Sequence, residues 1–150
     1  MKKVDLNRLQ RIWCHCCNIQ KTLQDMTHDC FKSEAGVDAR DVCAFRLLQI
    51  GEHSHRLSDE MKSQYPDFKW GAAYRFRNVL GHDYEGVSHN AIWKSCRNDM
   101  PILHTYVKSI LEAEAAAQAA EAAPPEAAEP EAIQSPAIQS PAAPAPEGHI

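Results

Sequence analysis

The chain has 150 residues, enough for one domain of ordinary size, and a formal charge of −4. No stretch is long and apolar enough to span a membrane, and the start "MKKVDLNRLQ" lacks the apolar core and cleavage site of a secretory signal. These features exclude a membrane-spanning helix and make the cytoplasm the expected location.

The net charge hides an asymmetry. All 16 Lys and Arg lie at or before Lys108, so residues 1–108 carry +3 and the remainder −7. A mildly basic body suits an anionic partner, although a charge of this size is weak evidence by itself.

In chain order, "DLNRLQRIWCHCCNIQKTLQD" puts Leu6, Leu9, Ile12 or Trp13, Cys16, Ile19 and Leu23 on one helical face, with Asp5 the expected N-cap. A short piece follows around Thr27–Ser33. "VDARDVCAFRLLQIGEHSHRL" then presents Val42, Phe45, Leu48 and Leu57 at helical spacing. Ser58 caps a brief turn that ends before Pro66. The next helix covers about Phe68–His82 and buries Trp70, Ala73, Phe76, Val79 and Leu80. Ser88 starts the last helix, with Ile92, Cys96, Leu103, Val107 and Ile110 inward and a kink expected at Pro101. No segment sustains period-two alternation, so the fold is all-α, an up-and-down helical bundle. From Leu111 the composition turns to Ala, Pro and Glu, with "AIQSP" repeated at 132–136 and 137–141. Alanine carries the helix to about Ala123 and Pro124–Pro125 stops it. The rest is expected to be a disordered, solvated tail.

Cys14 and Cys17 have C-x2-C spacing, but Cys30, Cys43 and Cys96 are single and scattered. Reduced, buried helix thiols are the better reading than zinc. His53 and His55 point about 200° apart on an ideal helix and do not chelate together. Trp13, Trp70 and Trp93 read as core. No metal and no other cofactor is expected.

The stretch "RNVLGHDY" at 77–84 is different. It sets four hydrogen-bonding side chains into an otherwise apolar helix: Arg77, Asn78, His82 and Tyr84. Arg77 and Tyr84 share a line on an ideal helix, as do Asn78 and His82. Arg77 and His82 stand about 140° apart. Either the helix ends near Gly81, or Arg77 reaches around, or a second copy of the chain supplies the missing partner. The residue types suit metal-free cleavage of RNA. That chemistry needs a base for the 2′-hydroxyl, a cation for the charge building on phosphorus and an acid for the 5′-oxygen. His serves as base or acid, Arg as a planar fork for phosphate, and Asn or Tyr as positioning groups. By itself the motif is short, and a lone Arg and His are usually surface residues.

The surrounding segments "LLQIGEHSHRLSDEM", "YPDFKW", "RFRNVLGHDYEGV" and "IWKSCRNDMPIL" add to it. Together they resemble the HepT family, the toxin branch of the HEPN superfamily, over about residues 5–111. The most specific match is Arg-x4-His-x-Tyr, here Arg77, His82 and Tyr84. The resemblance implies a HEPN-type bundle over 1–111, with 112–150 a helix extension and tail. It implies a homodimer whose two motifs share a cleft, and a metal-independent endoribonuclease acting on RNA. It also implies a place in a type VII toxin–antitoxin pair with a minimal nucleotidyltransferase antitoxin, which adds AMP to the motif Tyr. Arg77 would then stabilise the phosphorane and His82 act as acid and base. Tyr84 would be the modification target, and Asn78 and Glu52 auxiliary. Neither DNA nor a membrane is an expected partner. Asp83 stands where the family often has a small residue, and "VS" at 87–88 where an acidic second residue is frequent. A different class of reading is a non-catalytic helical partner, or substrate-binding subunit, of a minimal nucleotidyltransferase. A plain helical scaffold would leave the four motif side chains unexplained.

Overall fold

The computed structural model describes residues 1–83 and 85–122. Tyr84 and the tail from 123 onward lie outside the described residues, and with them the expectations for the modification site and for a disordered tail.

Among the described residues the chain is helical, without strands. Helix α1 spans Lys3–Thr22, α2 His28–Lys32, α3 Val37–His55, α4 Asp59–Gln64, α5 Trp70–His82, α6 His89–Lys94 and α7 Met100–Ala122. A 3-10 turn, Glu34–Gly36, precedes α3, and a π-helical turn, Ser95–Asp99, joins α6 to α7. The π turn sits directly before Pro101, which has no N–H to continue the ladder, so the expected irregularity of the last helix is there. The short helices begin on side-chain caps: Thr27, Ser58 and Ser88 accept from the amides of Cys30, Met61 and Ala91.

The core sits where α3 packs on α1 and α5, and α1 on α7. Leu9, Ile12, Cys16 and Ile19 of α1 meet Leu103, Val107 and Ile110 of α7 and Cys43, Leu47 and Ile50 of α3, all buried. Two arginines tie carbonyls at and beyond the ends of α1 and α2 into this frame. Arg40 is buried and donates to Phe31 O and, at 2.8 Å, Ser33 O. Arg97 donates to Leu23 O at 2.6 Å and Met26 O at 2.9 Å, closing the end of α1. These carbonyls have no helical partner, and a cation satisfies them well.

Three sequence expectations need correction. Asp5 is not the N-cap of α1; Lys2 occupies that position. Asp5 is buried one turn in, where it accepts from Ser58 N at 3.0 Å and Ser58 Oγ at 2.7 Å. It therefore staples α1 to the start of α4, a long-range role its residue type alone does not reveal. On α3, Val42 and Phe45 are exposed and Leu48 half-buried, while Ala39, Cys43, Leu47, Ile50, Gly51 and Ser54 face inward. The inner face is built of smaller residues because two helices close on it at short range. Val79 of α5 is likewise exposed, whereas Trp70 and Leu80 are buried and Ala73 and Phe76 partly so.

The thiols are free. Cys16, Cys43 and Cys96 are buried as expected, but Cys14 is exposed and Cys17 and Cys30 are half-buried; burial, followed by the neighbouring Cys17, pushes the Cys16 thiol up to about 12. No three His, Cys, Asp or Glu side chains gather as a metal-binding group among the described residues. None of the described helices is long and apolar enough to cross a membrane.

Candidate functional site

The site is built on the crossing of α3 and α5. Gly51 lies at that crossing with no side chain of its own. A Cβ there would meet the carbonyl oxygen of Ala73 at 2.8 Å and overlap the Arg77 side chain. The glycine is what lets α5 lie so close to α3. One residue on, the Glu52 carboxylate faces α5 and pairs with the Arg77 guanidinium. Its second oxygen reaches Arg56 Nη2 at 3.4 Å.

Arg77 is therefore held from two sides. Nη2 binds Glu52, and Nη1 donates to Asn78 Oδ1 at 2.9 Å. Its side chain is still 32% exposed, against 23% for Glu52. A half-buried, ion-paired arginine keeps a fixed direction while leaving donors for an anion. The base of the group is aromatic. The guanidinium carbon lies 5.8 Å from the Tyr74 ring centre, and Tyr74 stacks on His55 with ring centres 3.9 Å apart.

His82 is the last residue of α5 and is exposed. The helix ends there: Asp83 adopts φ −148°, its amide bonds Val79 O, and its Oδ1 accepts from Gly86 N at 3.0 Å. The acid beside His82 thus fastens the turn that follows α5. Among the described residues, no hydrogen bond or ion pair joins His82 to Arg77, Asn78 or Glu52. The single chain brings Arg77, Asn78 and Glu52 together and leaves His82 open to solvent on the same helix.

The sequence marks Arg77, Asn78 and Glu52, which the structure gathers, but assigns no role to Gly51, whose size makes the gathering possible. A shallow depression of about 390 Å³ is lined by Leu48, Gln49, Glu52, His53, Arg56 and Arg77. A separate, mostly apolar cavity of about 400 Å³ lies among Leu47, Ile50, Phe68, Phe76 and Met100 and contains none of the motif residues. Trp70 does not line the depression; it is buried, with Nε1 donating to Tyr65 O at 3.0 Å.

A family model described as ribonuclease HepT-like matches residues 13–110, which include both helices of this site. A Methanocaldococcus jannaschii protein named as a candidate RNase is 29% identical over 66 residues, 43% of this chain and 61% of that protein. A Thermococcus cleftensis protein named as a candidate ribonuclease HepT is 29% identical over 83 residues, 54% of this chain and 76% of the relative. A Caldanaerobacter subterraneus protein, also named as a candidate RNase, is 32% identical over 65 residues, 43% of this chain and 58% of its own length. No solved structure matches the chain.

Proposed function

The chain belongs to the ribonuclease HepT-like family, and on that premise we propose that it is a metal-independent endoribonuclease whose reaction runs through Arg77 and His82. The observation that carries this reading is the Arg77 fork, fixed by Glu52 and Asn78 yet open to an anion, on a helix that ends in an exposed histidine. In this chemistry His82 removes the 2′-hydroxyl proton and the 2′-oxygen attacks phosphorus. The 5′-oxygen departs and takes a proton from a second His82, leaving a 2′,3′-cyclic phosphate and a 5′-hydroxyl. Arg77 neutralises the charge that builds on the equatorial oxygens. Glu52 acts through Arg77 as a positioning residue, and Asn78 beside it.

The second histidine comes from a second copy of the chain. Support for a homodimer is the exposed apolar surface of the two site helices, where Phe45 is 52% and Val79 53% accessible and Val42 is also exposed. Residues 1–111 form the catalytic unit, and 112–150 serve outside it. In the wider system the protein is the cytoplasmic toxin of a type VII toxin–antitoxin pair. Its cognate antitoxin, a minimal nucleotidyltransferase, transfers AMP from ATP to the phenolic oxygen of Tyr84 and releases pyrophosphate. The added phosphate would compete for Arg77 and its bulk would exclude RNA.

The experiment is RNA cleavage by the purified full-length protein in EDTA, with the product ends identified. The reading expects cleavage in chelator and cyclic-phosphate ends. Activity that vanishes in EDTA and returns with a divalent ion overturns it.

A further inference from the structure

Next to Arg77 the surface carries cations that this chemistry does not use. Arg11 and His15 stand four residues apart on α1, hence on one side of it. Arg46, His53 and Arg56 stand seven and three apart on α3 and form the stripe beside Glu52. The two helices run antiparallel here. Arg8 donates to the carbonyl of Arg56 at one end, and Arg46 Nη1 donates to His15 Nδ1 at 3.2 Å nearer the other. Between these points the rings of His15 and His53 stack, with centres 5.8 Å apart and planes 18° from parallel.

The group is continuous with the site, because the depression lined by Arg77 and Glu52 is also lined by His53 and Arg56. Its positive charge exceeds what the fold neutralises. Arg11 is exposed and makes no hydrogen bond or ion pair to any described residue. Arg46 Nε is buried without a hydrogen-bond partner. The acid facing the group, Glu52, is already shared by Arg77 and Arg56. Burial, and then Arg46, His53 and Arg11, hold His15 down to about 4; burial, and then Arg11, Arg56 and Arg8, lower His53. Both imidazoles are therefore neutral at neutral pH, and the arginines carry the charge. From Arg46 to Arg56 the stripe runs roughly 15 Å along the helix. That is too long for one phosphate and suits a chain of them.

We propose that Arg11, His15, Arg46, His53 and Arg56 form a track that binds the sugar–phosphate backbone of single-stranded RNA and leads it to Arg77. The choice of RNA as the polyanion rests on the ribonuclease reading; the track itself rests on the arginine geometry.

The test uses full-length His82→Ala protein and a labelled single-stranded RNA, with affinity measured across a range of salt. Arg11→Gln/Arg46→Gln in that background should bind about 10-fold more weakly at low salt, and lose about 1.4 from the slope of log affinity against log salt, about 0.7 per phosphate contact. Circular dichroism checks that the helices persist. Should the Arg46 change disturb the α1–α3 contact, Arg11→Gln alone decides, with a slope loss of about 0.7. An unchanged slope and affinity overturn the track. Cleavage by the chains that keep His82 separates the two ideas. If the wild type cuts and the arginine variants bind and cut equally well, the track fails and the ribonuclease reading stands. If the wild type cuts nothing while binding depends on Arg11 and Arg46, the track stands and the ribonuclease reading fails. No RNA binding by the parent protein overturns the track.

Discussion

The carboxylate of Glu52 on α3 holds the guanidinium of Arg77 on α5. The pair bridges the two helices that carry the site, and it sets the direction of the only motif cation. Glu52→Gln keeps the shape and removes the charge. Cleavage should fall by about 10- to 100-fold, as expected when a phosphate-binding group loses its fixed orientation. The helical circular dichroism should be unchanged. Wild-type turnover by this variant would mean that Arg77 orients itself without Glu52.

Gly51 gives a second prediction. A methyl group there meets backbone oxygen of Ala73 and the stem of Arg77. Gly51→Ala should destabilise the fold by about 1–3 kcal/mol through overpacking. The displaced Arg77 should also lower activity at temperatures where the variant is still folded. Denaturant unfolding and single-turnover cleavage check the two parts separately.

Acid should weaken the fold in two stages. Burial and nearby arginines lower His15, to about 4, and also His53. In the unfolded chain both take up a proton below about 6.5. The unfolded state thus binds more protons in that window, and stability falls as pH drops from about 6.5 toward 4. Asp5 acts lower down. Burial raises it, but the Ser58 hydrogen bonds and then Arg8 outweigh burial and leave it lowered, so its contribution is lost as its carboxylate protonates. The melting temperature should decline through the first window, and His15→Gln should flatten that decline. A melting temperature independent of pH between those values would contradict the account.

Phe45 tests the proposed dimer. Placed on the exposed side of α3, it contributes little to the monomer's core. Phe45→Asp should leave the chain folded but halve its mass in light scattering, and cleavage should fall with it. A protein that is monomeric before the change and fully active would end the shared-cleft idea.

The helices were legible because they depend on local signals, and so were two of their caps. Ser58 and Ser88 cap where a hydroxyl before a helical run is expected to cap, whereas the Thr27 cap of the short α2 went unread. The inner face of α3 was not legible. Val42, Phe45 and Leu48 offer a plausible apolar stripe, and Cys43, Leu47, Ile50 and Ser54 offer another. Which one turns inward depends on Gly51 and on the approach of α5, and periodicity does not encode that approach. Asp5 fails for the same reason, since its partner Ser58 lies 53 residues away. At the site, Arg77, Asn78 and His82 stood out in the sequence as polar residue types in an apolar helix, and the structure places Arg77 beside Asn78 with His82 exposed at the helix end. The pairing of Glu52 with Arg77 and the neutral His15–His53 stack needed the packed helices.

The most direct measurement compares wild type, Arg77→Ala and His82→Ala for single-turnover cleavage of one RNA in EDTA, with helix content and RNA binding recorded for each. The account predicts that His82→Ala keeps its fold and still binds RNA but cuts about 10²- to 10⁴-fold more slowly, the contribution of a lost acid–base group. Arg77→Ala should lose cleavage as well, together with part of its affinity for RNA. A cleanly folded His82→Ala protein that cuts RNA at the wild-type rate would contradict it.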